Sequence, residues 1–387
     1  MPPAPPGLRR LLIGAVAVFF ALTLAGVVAL WPKHVVRQRP SSLGPAVRLI
    51  NGTVTAVKAA RCNGSPPEME SRCIHADVHL TSGPDAGTTT TLEIGQSADE
   101  PLLHRGDRIV VGRSFDPTAG VAYYFSDFQR RTPLVFLALI FAVVVVALAR
   151  WRGAAAIVGL FVSLLVLVRF VLPAILDGKS PIAVAIVGSA VIMVFVVYFA
   201  HGVNVRTTTA LLGTALSLLL TGALAWIFVQ ATQLSGLASE EVTYLRASAE
   251  TLNPQGLLLG GIIIGSLGIL NDITVTQASA VWELHLADPS APATRLYGAA
   301  MRIGRDHIAS TVYTLVLAYA GAALPLLVLF TLTGRAFSDV VTGELVAEEV
   351  VRTLVGSIGL VAAVPVTTAL AVALVMRIRG AFAPDSG

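Results

Sequence analysis

One apolar stretch of the chain carries ionisable and hydroxyl side chains at helical spacing. Between residues 265 and 283, small and polar residues recur every three or four positions, which places them on one face of an α-helix. This face consists of Gly265, Gly268, Asp272, Thr276, Ser279 and Glu283. An ionisable side chain inside an apolar span is costly, and it is a functional candidate by default.

The carboxylate of Asp272 is the chemical centre of this face. We predict an ion or solute site there, with oxygen donors from Asn271, Thr276 and Ser279. A polar clamp between two packed helices is the structural alternative. Glu283, near the end of the span, belongs either to the site or to the membrane interface.

A second polar group precedes the next apolar span, which we place at residues 309–331. It consists of Arg305, Asp306 and His307, which we include in the predicted site. Arg305 could pair with Glu283 or Asp272, and Asp306 fits a helix start, where a carboxylate complements the helix dipole. Proteolysis by an acid pair of Asp272 and Asp306 is disfavoured, because Asp306 lies at the predicted surface.

The first stretch has a relative further along the chain. Residues 265–281 and 356–372 align with eight of 17 positions identical. The alignment predicts repeated helical hairpins, whose interfaces often form solute sites, although shared Ala and Val content is the alternative explanation. Small residues let helices approach closely, so we predict helix-packing roles for Gly261, Gly265, Gly268, Gly356 and Gly359.

The elements that carry these residues must cross a membrane. The chain of 387 residues is 55% hydrophobic and 13% charged, with a mean hydropathy of +0.77. Soluble domains average about 25% charged residues. The composition excludes a soluble globular fold, a disordered chain and a nucleic-acid-binding domain. The net charge of +4 is typical of basic cytoplasmic loops.

Eight stretches are long enough to cross about 30 Å of hydrocarbon, which takes about 20 residues. They are residues 11–31, 133–149, 154–176, 181–200, 208–229, 255–284, 309–331 and 353–376. Lys and Arg accumulate on the side of the N-terminus, which predicts a multi-pass protein of the cell membrane with both termini cytoplasmic. The predicted parts are an N-terminal anchor (1–31), an extracytoplasmic domain (32–132), a seven-helix domain (133–380) and a cytoplasmic tail (381–387).

The extracytoplasmic domain has a different composition, rich in Asp, Lys, Pro and turn residues. Short alternating runs at residues 47–57, 74–80, 88–94, 108–112 and 121–125 predict five strands. We expect a small β-barrel or sandwich, and favour an OB-like barrel. The predicted fold class is therefore mainly α, a transmembrane helix bundle with one small β domain.

Both cysteines of the chain, Cys62 and Cys73, lie in this domain. An extracytoplasmic position permits oxidation, so we predict a disulfide between them. Cys73, His75 and His79 would share one strand face without matching an established ligand motif, so no metal site is predicted. The chain has no P-loop, dinucleotide fingerprint or zinc-helix motif, and we expect neither a cofactor nor an enzymatic activity.

Several motifs resemble the signature of the YibE/F-like family of membrane proteins. They are GGIIIGSLGILNDITVTQASAVWEL at residues 260–284, GRDHIAST at 304–311 and LAYAGAALPL at 317–326. The resemblance covers most of residues 130–380, and residues 45–128 look like the family's extracytoplasmic part. The matching positions are Gly265, Gly268, Asp272, Ser279, Glu283, Gly304, Arg305, Asp306 and Pro325, while Thr276 and Gln277 depart from the pattern.

The favoured function is a permease or channel-like transporter of a small solute or ion, with Asp272 coupling or coordinating an ion. The alternative is a membrane-anchored accessory or assembly protein whose extracytoplasmic domain binds a protein partner. The expected partners are thus the lipid bilayer, a small solute or ion, or another protein, and no nucleic acid. The sequence leaves the oligomeric state open.

Overall fold

The computed structural model describes residues 6–33, 47–62, 72–95, 102–116, 120–248, 252–332, 334 and 336–380. Contacts between Cα atoms divide the chain into two compact units. One consists of Met1–Gln38 and Val146–Gly387, and the other of Arg39–Val145. The predicted cytoplasmic tail, residues 381–387, lies outside the described residues.

All five predicted strands are present in the smaller unit. They are β1 (Arg48–Arg61), β2 (Arg72–Leu80), β3 (Thr89–Gly95), β4 (Arg108–Asp116) and β5 (Gly120–Phe128). They form one antiparallel sheet in the order β3-β2-β1-β4-β5. The two edge strands, β3 and β5, also approach each other, so the sheet is nearly closed.

The long central strand β1 explains how a sheet of only five strands nearly closes. It pairs with β4 over Arg48–Thr53 and with β2 over Gly52–Arg61. A register shift between Val54 and Ala56 marks a bulge, which bends the strand. Alternate apolar side chains of the strands point to the interior that the nearly closed sheet encloses. The core formed there contains Ile50, Val54, Ile74, Ala76, Val78, Leu80, Leu92, Ile94, Leu103, Ile109 and Val111.

A polar network holds the β2–β3 turn against β4 and β5. One carboxylate oxygen of Asp85 accepts from Arg113 Nε and from the Tyr123 hydroxyl, both at 2.6 Å. The Tyr123 and Arg113 donors hold the pKa of Asp85 below its ordinary value. The same bond to Asp85 raises the pKa of the Tyr123 hydroxyl.

Helices make up the larger unit and the connection into it. They are α1 (Pro6–Leu30), α2 (Arg131–Val166), α3 (Leu172–Leu176), α4 (Pro181–His201), α5 (Val205–Ala231), α6 (Glu240–Ser248), α7 (Pro254–Ala287), α8 (Ala293–Ala322), α9 (Leu324–Leu332), α10 (Phe337–Thr342) and α11 (Glu344–Gly380), with a π-helical turn, Leu167–Val171, between α2 and α3. Polar caps start the central ones: Ser180 precedes α4, Asn204 precedes α5 and Asn253 precedes α7, each accepting from a backbone N–H of the first turn.

Within the described residues, six helical segments are long and apolar enough to cross a membrane. A seventh is the pair α8 and α9, which are bent by 59° at Ala323, just before Pro325. The segment Arg131–Leu176 has 46 residues. At 1.5 Å per residue it would extend over about 70 Å, roughly twice the hydrocarbon thickness. Its helix is interrupted at Arg150, where φ is 53° and ψ is −131°.

The core of the larger unit lies between α4, α5, α7 and α11. It includes Met193 of α4, Leu211 of α5, Leu270 of α7 and Leu360 of α11, all almost fully buried. Both α5 and α8 pack against α7 and also against α11. Lipid is as apolar as these side chains, so such helices are held together mainly by close packing and hydrogen bonds.

Candidate functional site

The predicted polar face of α7 is its uncovered face. Gly261, Gly265, Gly268 and Asp272 are exposed, whereas the opposite side of the helix, with Ile262, Ser266, Leu270 and Gln277, is buried. α7 has 34 residues, and Asp272 lies near its middle. The helix therefore presents a carboxylate on an open surface about half-way along a segment long enough to span a bilayer.

Asp272 faces a histidine of the next helix. Asp272 Oδ2 lies 3.8 Å from His307 Nε2, a side chain of α8. The Asp272 side chain is 70% exposed and that of His307 is 31% exposed. A carboxylate oxygen and an imidazole nitrogen are both common cation ligands and proton-transfer groups, so the arrangement suits a cation or a proton as ligand.

The other predicted donors lie around this pair. Thr276 and Ser279, one and two turns further along α7, are half-buried. The side-chain carbonyl of Asn271 is buried and has no hydrogen-bond partner among the described residues. Arg305 and Asp306 are exposed on α8. The structure thus brings Asp272 and His307 together, and leaves Arg305 and Asp306 outside that contact.

Two sequence interpretations of α8 are wrong. Glu283 lies 3.9 Å from Arg206 of α5, and Asp272 is paired with His307, so neither has Arg305 as its partner. Asp306 is not at a helix start, because α8 begins at Ala293. Residues 293–308 are too polar for hydropathy to count them as part of the span, although they continue the same helix.

The five glycines predicted to pack helices have different surroundings. A Cβ atom at Gly261 or Gly268 would contact nothing within 4 Å. At Gly265 it would lie 3.7 Å from the Tyr319 hydroxyl, and at Gly356 it would lie 3.6 Å from Ser266 Oγ. At Gly359 it would collide with Thr221 of α5. Of these positions, Gly359 marks the closest helix approach.

A buried glutamine, which the sequence analysis treated only as a departure from the family pattern, joins three helices. Gln277 Nε2 of α7 donates to the Ala300 carbonyl of α8 and to Thr368 Oγ1 of α11, both at 2.8 Å. Gly304 allows this contact, since a Cβ there would lie 2.5 Å from Val364 and 3.1 Å from the Gln277 amide. Ser266, Leu270 and Gln277 are spaced by four and seven residues, which places them on one helix face, opposite the face of Asp272. This spacing is the sequence signal that could have identified Gln277 as buried.

The alignment of the two segments has a structural counterpart. Gln277 and Thr368 are 91 residues apart and touch, and Ser266 lies beside Gly356. The same offset relates residues 265–281 to 356–372, so α7 and α11 lie parallel, side by side, in the register of the alignment. Within this shared register, Ala363 is buried in the core where the first copy has the exposed Asp272.

Hydroxyl groups line the contacts among α5, α7 and α11. The Thr214 and Thr274 hydroxyls hydrogen-bond at 2.5 Å between α5 and α7. The buried hydroxyls of Ser217, Ser357 and Thr367 have no hydrogen-bond partner among the described residues. The interior of the bundle therefore offers polar atoms on several helices in addition to the Asp272 face.

Comparison with models of known protein families gives a match. The family model described as YibE/F-like protein matches residues 137–377, well over half of the chain. The matched region contains every residue of the polar face on α7 and the facing residues of α8. No curated protein and no solved structure matches the chain.

Proposed function

The chain belongs to the YibE/F-like protein family, and from that premise we propose that it is a multi-pass membrane permease for a small ion or solute. The proposed site is the pair of Asp272 and His307, together with the oxygen donors next to Asp272 on α7. Family membership agrees with the resemblance in the sequence, but it names no substrate. The proposal therefore depends on the chemistry of the pair.

The proposed topology has eight spans. The six long apolar segments and the bent pair α8 and α9 account for seven. We assign two spans to Arg131–Leu176, because its length and the break at Arg150 fit a segment that crosses, turns and crosses again. For the β unit, in which β1 pairs with both β2 and β4, we propose an OB-like barrel.

The distribution of arginines supports cytoplasmic termini. Arg9 of α1 lines a cleft with Asn204, at the turn between α4 and α5. Arg206 pairs with Glu283 near the end of α7, and Arg379 of α11 donates to the backbone of the α7–α8 turn at Ser290. Basic residues thus gather at one end of the larger unit, and a cytoplasmic position for that end follows the positive-inside rule.

The observation that carries the transport proposal is the exposed Asp272–His307 pair. On the eight-span topology Asp272 lies close to the middle of the bilayer. Placing an Asp at the centre of a span costs at least about 2.5 kcal/mol, which favours a wet cavity or a polar partner at this position. A carboxylate and an imidazole that share an exposed face can bind a cation or a proton and release it, and a structural clamp would not need this exposure.

The test is flux in proteoliposomes that contain the purified chain. Proton and monovalent-cation flux are followed with an internal pH dye and a cation-sensitive dye, under an imposed gradient. We expect flux with the wild type and none with Asp272→Asn. Asp288→Asn, the same change in the exposed α7–α8 turn, serves as the matched control and retains flux. Equal flux in wild type and Asp272→Asn would refute the assignment.

One observation favours an accessory role as the second candidate. Leu49 and Tyr124 are 64% and 43% exposed on the outer surface of the β unit. They flank Gly112, over which the Tyr124 ring lies. Neighbouring exposed apolar side chains are typical of protein contact sites. The test places a photoreactive residue at position 124 and crosslinks in cells. One discrete crosslinked product would favour this role, provided that the purified wild-type protein shows no flux in proteoliposomes.

A further inference from the structure

The disulfide of the β unit lies beside an acidic side chain. Cys62 follows β1, and Cys73 lies near the start of β2. They are joined by a disulfide, with Cα atoms 5.0 Å apart. The two sulfur atoms and a carboxylate oxygen of Glu93, a residue of β3, all lie within 4.8 Å of one another. Three strands therefore bring three metal-ligating groups to one point.

Strand pairing explains why Glu93 is there. His75 pairs directly with Glu93, and Cys73 pairs with Gly95 in the same β2–β3 ladder. Residues two apart on a strand share a face, so Cys73, His75 and Glu93 all project from the outer face of the sheet. The inner face at the same level carries the core residues Ile74 and Ile94.

A second observation points to a ligand. His75 Nε2 is shielded from solvent and has no hydrogen-bond partner among the described residues. It lies 3.8 Å from Glu93 Oε2, too far for a hydrogen bond. A metal-bound carboxylate normally has an outer group that orients it, and the imidazole of His75 beside Glu93 suits that role.

We propose that the β unit, when its disulfide is reduced, binds a divalent zinc-class ion through Cys62, Cys73 and Glu93, with His75 positioning the carboxylate. Two thiolates with one carboxylate form a donor set that suits Zn²⁺, and three protein ligands leave the fourth tetrahedral position open. This site is separate from the Asp272 pair and does not depend on the proposed transport function.

The exchange between the two states balances with a dithiol as reductant. The dithiol breaks the Cys62–Cys73 bond, gives two electrons and two protons to the two sulfurs, and becomes a disulfide itself. Zn²⁺ then binds the sulfurs as thiolates, and the two thiol protons pass to solvent. A small-molecule disulfide reverses the process by thiol–disulfide exchange: it takes two electrons from the two thiolates and two protons from solvent and leaves as thiols. The Cys62–Cys73 bond forms again, and Zn²⁺ is released because a disulfide sulfur is not a thiolate ligand. The disulfide and the metal are therefore alternatives at one position.

The experiment uses the full chain in detergent, reduced with a dithiol that is removed under anaerobic conditions. Co²⁺ is the probe, because thiolate coordination gives it a charge-transfer absorption, and Zn²⁺ is then added as competitor. We expect the band only in reduced protein, and its loss on adding Zn²⁺. Cys62→Ser and Cys73→Ser should abolish it, and Glu93→Gln should weaken Co²⁺ binding.

His75→Ala tests the positioning role. Loss of an outer partner of a metal ligand typically costs about 10–100-fold in affinity, and we expect a loss in that range. His79→Ala is the matched control, since it removes an imidazole from the same strand face at an exposed position. Circular dichroism shows whether each variant keeps its fold. The proposal is overturned if reduced wild type shows no thiolate band, or if Glu93→Gln and His75→Ala both bind Co²⁺ as tightly as wild type.

Discussion

The Gln277 amide donates to the Thr368 hydroxyl at 2.8 Å, and the two residues are separated by 91 positions, the same offset that relates the two aligned segments. A residue of the first copy thus holds a residue of the second at the equivalent depth. Through its bond to Ala300 the same amide also holds α8. The packing of α7, α8 and α11 therefore depends on one buried side chain.

Replacing Gln277 by Leu should destabilise the helix bundle. The change removes two hydrogen bonds between helices, and each such bond typically contributes about 0.5–1.5 kcal/mol. We expect a lower thermal unfolding temperature in detergent, followed by tryptophan fluorescence, because Trp282 is buried one turn away. Thr276→Ala, on the neighbouring position, should change it much less. Equal stability of Gln277→Leu and wild type would contradict this account.

Adding one methyl group at two glycines should have opposite consequences. Gly359→Ala collides with Thr221, and overpacking typically costs about 1–3 kcal/mol. Gly268→Ala enters open space, and Ala favours a helix by up to about 1 kcal/mol over Gly. Thermal unfolding should show a loss only at Gly359. The double change Gly359→Ala with Thr221→Ala should recover stability, and failure to do so would place the strain elsewhere.

His307→Gln tests the partner of Asp272. If the imidazole assists the carboxylate, flux should fall about tenfold, equivalent to about 1.4 kcal/mol, while Asp272→Asn abolishes it. Proteoliposome flux measures both variants in one assay. Ser310→Ala, an exposed change one turn along α8, should leave flux unaltered. Full flux in His307→Gln would mean that Asp272 acts without this histidine.

The Asp85 network should make the β unit sensitive to acid. The pKa of Asp85 is lowered in the folded state, so its contribution to stability is complete above its unfolded pKa of about 3.9 and is lost as pH falls through the folded value. At neutral pH, Asp85→Asn and Tyr123→Phe should increase hydrogen exchange in the β2–β3 turn. Tyr124→Phe, whose ring is exposed, should not.

The same comparison at lower pH completes this test. Wild type and Asp85→Asn are measured side by side at each pH, so that the intrinsic pH dependence of exchange cancels. Their difference should shrink as pH falls below about 4, because the wild-type carboxyl becomes neutral as well. A difference that persists unchanged into strong acid would show that shape, rather than charge, holds the turn.

Local sequence features were sufficient for much of the fold. Alternation of apolar residues around turn residues identified all five strands, since one side of each strand faces a core. The starts of α4, α5 and α7 follow from polar caps at Ser180, Asn204 and Asn253. These signals act within a few residues and need no tertiary information.

The orientation of α7 could not be predicted in the same way. Most of the helix is apolar all round, so the periodicity of hydrophobic residues does not identify its buried face. The polar residues gave the correct grouping of Asp272 on one face, but not its partner, because the contact with His307 depends on how α8 packs. The start of α8 at Ala293 was missed because hydropathy measures how apolar a segment is, and the first turns of this helix are polar.

The shared register of α7 and α11 has a consequence for exchanging side chains between the two helices. Asp272 is exposed, whereas its counterpart Ala363 is buried in the four-helix core. Side-chain volume limits what can replace residue 363, while charge and hydrogen bonding limit what can replace residue 272. A carboxylate moved from position 272 to position 363 would be buried in the apolar core at a high cost in free energy, so the two positions cannot exchange their side chains although the alignment makes them equivalent.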